Sequence, residues 1–290
     1  LQDVSENELE IWYPPQDRVA VQVRPPGGAW LTVVEPGEFM QSEVLGAEQN
    51  FTVVSTYNEL YDVGNGYNRI TVYLSPFISE QTGVHAIASG IWSIRLIGRH
   101  VRDGRYHGWI ERDDPDEIGR VGTRRFWRFP SFFADGTNVD DSSLSTLACG
   151  DRIIAVANLD AETRRINVTS SQGPTRDGRE KPDIAAPGTN IWAANGFDSE
   201  PWIQKSGTSM ASPYVASVAA LILSNAPDLT ASQVLGIIRR SAKPLPGHSY
   251  DWRNDAGFGE VDVNVCLREA RLAKRTLKQI EKSVPDGSGR

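Results

Sequence analysis

The chain has 290 residues, 39% of them hydrophobic and 23% charged, with a formal net charge of −7. That length accommodates two domains, and that composition is ordinary for a soluble globular protein. A pI near 5.2 argues against nonspecific nucleic-acid binding, and no apolar run approaches the ~20 residues that span a bilayer. No charged-then-apolar leader pattern opens the sequence, although a chain cut from a longer one would have lost it. Cys149 and Cys266 are too few for a disulfide framework, and their apolar neighbours predict buried free thiols. The compartment stays open between bacterial cytoplasm and export. The sequons Asn50-Phe51-Thr52 and Asn167-Val168-Thr169 matter only in a eukaryotic secretory setting.

From Leu1 to about Asp114 the apolar residues recur at every second position. Val19, Val21 and Val23 alternate with Ala20, Gln22 and Arg24. Ile70, Val72 and Leu74 alternate with Thr71, Tyr73 and Ser75, and Trp92, Ile94 and Leu96 with Ser93 and Arg95. This is the pattern of half-buried antiparallel strands. Pro25-Pro26-Gly27-Gly28 and Gly64-Asn65-Gly66 read as turns. Only Pro76 to Ser89 carries a weak helical pattern. The spacing predicts a β-sandwich or jelly roll over residues 1–125. Trp12, Trp30, Trp92 and Trp109 each fall within an alternation, so core packing is expected of them before a sugar-binding platform.

Near Pro130 the period changes. Ile153 to Ala157 is continuously apolar, as a buried parallel strand is. Ile184 to Gly188 leads through a turn into Ile191 to Ala194. A helix from about Ser209 to Asn225 is apolar nearly all round and is expected to run through the middle of its domain. Thr230 and Gln233 have the capping-box spacing and start a helix through Arg240. Val263 to Val284 reads as a terminal helix, and Pro285 to Arg290 as a frayed tail.

The segment Ser206-Gly207-Thr208-Ser209-Met210-Ala211-Ser212-Pro213 carries the chemistry. Small residues bracket one serine at a helix start, with room for a substrate backbone over Gly207. Helix N-terminal amides there favour growing negative charge on an attacked carbonyl oxygen. Gly207 to Ala216 resembles the G-T-S-M-A-x-P-x-V-A nucleophile motif of the subtilisin-like serine proteases, the subtilases. Ser170 to Gly188 is similar to their S-S-x-G-P…K-P-D-x-x-A-P-G block, and Gly257 to Asp262 to their G-x-G-x-V-D turn. Tyr214 stands where the family usually has histidine, at a position that is not the catalytic base. Three blocks in the family's order cover roughly Phe129 to Ala273.

The resemblance implies a partial subtilisin-like α/β parallel-sheet core over residues 126–275, a helix end and tail over 276–290, and a protein or peptide substrate. It implies Ser209 as nucleophile, with Thr208 and Gly207 forming its turn. Asp183 and Asn158 read as a structural turn carboxylate and a loop residue. Gly90 to Leu96 and Tyr106 to Ile110 resemble the closing strand pair of jelly rolls inserted in some subtilases. Calcium is allowed by the family, but no ligand can be assigned.

A serine nucleophile needs a base, and the base an orienting group. The family supplies these as D-[ST]-G and H-G-T blocks upstream of the serine, with an oxyanion asparagine in an A-x-G-N turn. None of His85, His100, His107 and His248 is followed by Gly-Thr. His100 and His107 read as surface residues. Asp135-Gly136-Thr137 has the right residue types in the wrong order, and Gly64-Asn65-Gly66 is a plain turn. The base, the acid and the oxyanion asparagine are therefore expected from an upstream segment or separate chain of the same protease. A regulatory pseudoprotease is the alternative, and a β-sandwich binding module on a protease scaffold a third reading.

Overall fold

The computed structural model describes residues 2–45, 51–81, 83–111, 116–134, 141–196 and 199–283. Asn50, Asp135-Gly136-Thr137, Val284 and the tail Pro285 to Arg290 lie outside the described residues. The chain divides into two compact units, residues 1–138 and 139–290. Among the described residues no helix is long and apolar enough to cross a membrane.

The first unit is built from strands: β1 (Gln2–Asp3), β2 (Asn7–Tyr13), β3 (Arg18–Arg24), β4 (Phe39–Leu45), β5 (Phe51–Glu59), β6 (Asn68–Ser79), β7 (Gly83–His85), β8 (Ser93–His100), β9 (His107–Ile110), β10 (Asp116–Val121) and β11 (Arg124–Arg128). The sheet β4-β5-β6-β2-β9, with β7 on β6, is antiparallel. The pair β3-β8 is antiparallel with a register shift near Arg18, and β1-β11-β10 forms a third sheet. Period-two alternation aims Ile11, Tyr13, Val54, Ile70 and Val72 of the first sheet at Val21 and Val23 of β3, and these form one buried core. The weak helical pattern over Pro76 to Ser89 yields to this pairing: β6 runs on to Ser79 and β7 returns along it.

The tryptophans correct the expectation of core packing. Ile11 and Tyr13 take the buried positions of β2, so Trp12 is turned to the other face, where the Arg69 guanidinium lies 5.3 Å from its ring. Trp30 is held between Arg24 and Arg95, and Trp109 stacks on His107. Only Trp92 leans on the core, half-buried. Asp17 is buried and ties down the loop after β8. Its carboxylate accepts N–H bonds from Arg102, Asp103 and Gly104 at 2.7, 3.1 and 2.8 Å.

The second unit contains β12 (Val156–Asp160), β13 (Arg165–Ile166), β14 (Ile184–Pro187), β15 (Ile191–Ala194), β16 (Trp202–Lys205), α1 (Thr208–Asn225), α2 (Ala231–Arg240) and α3 (Val263–Ser283). β12 and β14 are parallel, β13 is antiparallel to β12, and β15-β16 is a hairpin. The expected strand at Ile153 starts three residues later. Ile153 is instead in a turn closed on Gly150, and the Ala155 N–H is taken by the Asp183 carboxylate. The capping box on α2 is complete, with Thr230 and Gln233 each bonding the other's backbone.

α1 is buried along one stripe, Ala211, Val215, Val218 and Ile222, which packs into a core with Ile184 and Ala186 of β14, Val234 and Ile238 of α2 and Cys266 and Ala270 of α3. Tyr214, Leu221 and Leu223 are 41%, 45% and 39% exposed. The helix therefore does not run through the middle of the unit. The described elements of the unit cover one flank and leave the other, on which Ser212, Ser217 and Ser224 stand among apolar residues, exposed. Cys266 is buried, whereas Cys149 is only half-buried; both are free thiols, and burial pushes both thiol pKa values up.

Candidate active site

The turn before α1 is fixed by close backbone approach. Gly188, which follows β14, donates to Leu159 O at 3.0 Å and accepts from Gly207 N at 2.8 Å. A Cβ on Gly188 would stand 2.6 Å from Asn158 Oδ1, 2.8 Å from Gly207 O and 2.9 Å from Ala211 Cβ. No side chain fits there, so glycine is what lets β14 pass under the helix start.

Gly207 caps α1 with its carbonyl, which accepts from Met210 N at 3.0 Å; the helix has no side-chain cap. Thr208 and Ser209 are the first two helical residues, and both are exposed. The backbone N–H groups of the first turn have no intrahelical acceptor. Among the described residues neither the Thr208 nor the Ser209 N–H finds another acceptor, and the Ser209 hydroxyl has no hydrogen-bond partner. Ser206 Oγ faces the other way and accepts from Asn190 N at 2.8 Å, tying the hairpin β15-β16 to the turn.

Beneath this turn lies a polar network that the sequence did not signal as part of the site. Asn158 is no loop residue: it sits within β12, fully buried. Asn167 Nδ2 donates to Thr189 Oγ1 at 3.0 Å, and Thr189 Oγ1 donates to Asn158 Oδ1 at 3.1 Å. The Asn158 backbone N–H donates to Ser170 Oγ at 3.0 Å. The only signal in the sequence is an amide side chain inside an otherwise apolar strand.

Asp183 is the structural carboxylate it was expected to be, with partners remote in sequence. It is fully buried before β14 and accepts from Ala155 N and Lys181 Nζ, each at 2.7 Å, and from the Arg239 guanidinium of α2. Lys181 Nζ also donates to Ile153 O at 2.5 Å. The cluster pins β12, β14 and α2 together behind the serine turn.

Of the four histidines, His85, His100 and His107 belong to the first unit. His100 is exposed, as expected; His107 is half-buried against Trp109. His248 is exposed in a turn closed on Leu245 O. Gly64-Asn65-Gly66 is an exposed loop between β5 and β6 in which Asp62 O accepts two N–H bonds, so it is a turn. For calcium, no group of three or more His, Cys, Asp or Glu able to hold a metal ion occurs among the described residues.

Residues 131–262 match the family model for the subtilase family. This segment is a subtilase segment. The chain is 33% identical to serine protease AprX of Bacillus subtilis over 124 residues, 37% of this chain and 28% of that protein. It is 34% identical to subtilisin DY of Bacillus licheniformis over 133 residues, 46% of this chain and 43% of that protein. The chain thus spans less than half the length of these curated subtilases. The solved structure of the Clostridium perfringens CspB protease superposes on 91% of this chain and 52% of its own, with a TM-score of 0.68 at 22% identity. That likeness concerns the fold, and it takes in more of the chain than the subtilase segment alone.

Proposed function

We propose that the second unit is the nucleophile-bearing part of a subtilisin-type serine endopeptidase, with Ser209 as nucleophile. The observation that carries this reading is an exposed, unbonded hydroxyl on the second residue of an 18-residue helix whose first N–H groups lack acceptors. Its Oγ would add to the scissile carbonyl carbon as its proton passes to a histidine of the partner segment. The Ser209 and Thr208 N–H groups stand at the positive end of the helix, where an oxyanion would gather charge. The histidine would then return the proton to the departing amine as the C–N bond breaks. Water repeats the addition, releasing the carboxylic acid and restoring Ser209. Gly207 and Thr208 shape the turn; Gly188 and the Asn158 network hold it.

The base, its orienting aspartate and an oxyanion asparagine come from an upstream segment or separate chain of the same protease. The uncovered flank of α1, with Tyr214, Leu221 and Leu223, supports this: a subtilase core needs a layer there, and each side chain covered would contribute on the order of 1 kcal/mol. In this reading the first unit is a sandwich of jelly-roll type inserted in the protease domain. Peptide hydrolysis tests the proposal. The 290-residue chain alone should not cleave peptides; supplied with the partner segment it should, and Ser209→Ala should then be inert. Cleavage by the Ser209→Ala protein would remove Ser209 as nucleophile. An intact complex that neither cleaves nor acylates would favour the pseudoprotease reading.

A further inference from the structure

In the first unit β8 pairs with β3 and with no second strand among the described residues, so one edge presents unpaired backbone N–H and C=O groups. Behind that edge, between the two sheets, is a cavity of about 150 Å³ with Ile11, Ile70, Leu96 and Val101 among its lining. A cavity of that size holds a single benzene-sized group. Val101 and Tyr106 stand at it 54% and 60% exposed. An open edge beside a pocket for one apolar side chain is the arrangement by which proteins take up an extended peptide as an added strand.

Charge selects the occupant. In a chain of net charge −7, the β8 edge and the loop after it carry Arg95, Arg99, Arg102 and Arg105. Arg99 and Arg105 are neutralised by Glu35 and Asp103. Arg24 and Arg95 flank the Trp30 ring at 5.0 and 3.9 Å and have no carboxylate partner among the described residues. A second copy of the chain would set its own arginines against these, and like charges across a strand pair are unfavourable. The buried Asp17 carboxylate lines the cavity with its lone pairs already engaged, so an acidic group would be repelled from it and an apolar one accepted. We propose that the first unit binds an extended acidic peptide segment, which adds to the edge of β8 and seats one apolar side chain in this cavity.

The test uses the 290-residue chain and a short fluorescent probe peptide of alternating Thr and Val, with aspartates at both ends and leucine at its centre. Matched probes carry lysine for aspartate, or serine for leucine. The acidic leucine probe should bind about tenfold more tightly than either, and should slow amide exchange at residues 93–100. Arg95→Glu and Val101→Asp should each weaken it about tenfold, and Glu43→Lys on β4 should not. Equal binding of acidic and basic probes, or unchanged exchange along β8 in the unsubstituted chain, would overturn the proposal. Ser209→Ala should bind the probe unchanged, so this test and that of the protease reading fail separately.

Discussion

Replacing Asp183 by Asn removes a charge that two cations share. Asp183 has no exposed surface and the Lys181 side chain is 4% exposed, whereas the Arg239 side chain is 32% exposed and can turn to solvent. The loss therefore falls on Lys181, left with Ile153 O as acceptor in a buried site. Removing one partner of a buried pair costs about 3–5 kcal/mol, because the other charge stays desolvated. Arg239 relaxes cheaply and the asparagine can keep the Ala155 N–H bond, so the lower half of that range is expected. For a unit of this size each kcal/mol shifts the melting temperature by roughly 2–4 °C, giving a fall of roughly 6–16 °C. Thermal unfolding followed by circular dichroism reads it. Trp252, whose Nε1 donates to Pro182 O at 2.9 Å, reports locally by fluorescence. Lys181→Met in the Asp183→Asn background should recover part of the loss, since it removes the orphaned cation. A melting temperature within roughly 2 °C of the unsubstituted chain would show that the cluster does not hold β12, β14 and α2 together.

Burial pushes the Asp17 carboxyl up, but its three backbone N–H bonds outweigh this and hold it below the usual carboxylate range. A lowered native value stabilises the fold above the unfolded-state value of about 4, and that stability is lost as pH falls through the native value. Urea midpoints between neutral pH and pH 2 should show this acid loss, and Asp17→Asn should flatten it while costing about 2 kcal/mol at neutral pH. Thr230→Ala removes the Oγ1 acceptor of the Gln233 N–H, the side-chain half of the α2 capping box, and should cost about 1 kcal/mol in urea unfolding. Gly188→Ala drives a Cβ into Asn158, Gly207 and Ala211 at once. It should cost about 1–3 kcal/mol and lower Ser209 acylation more than tenfold in the assembled protease, read by acylation rate beside a melting curve.

What the sequence made legible was local. The start of α2 followed from Thr230 and Gln233, and the start of α1 from the small residues around Ser209, because caps and tight turns are decided by neighbours. β3, β6 and β8 followed from period two. The side chains that Trp12, Trp30 and Trp109 meet did not, since alternation fixes two faces without saying which one is buried. The Lys181–Asp183–Arg239 cluster and the Asn167–Thr189–Asn158 chain join residues from separate elements, and a sequence pattern does not report such pairs. The all-round apolar surface of α1 misled for a related reason. Apolar composition does not say which flank the unit's own elements cover, and Tyr214, Leu221 and Leu223 stay exposed.

The most direct test of the central claim is labelling with a fluorophosphonate, which reacts with an activated serine. The chain should be labelled only when the upstream partner segment is present, with the adduct mapping by mass spectrometry to the peptide carrying Ser209. Ser209→Ala should abolish it, and peptide hydrolysis should fall by a factor of ~10⁶. An adduct on another serine, or none on Ser209 in a complex that still hydrolyses peptides, would contradict the assignment of Ser209 as the nucleophile.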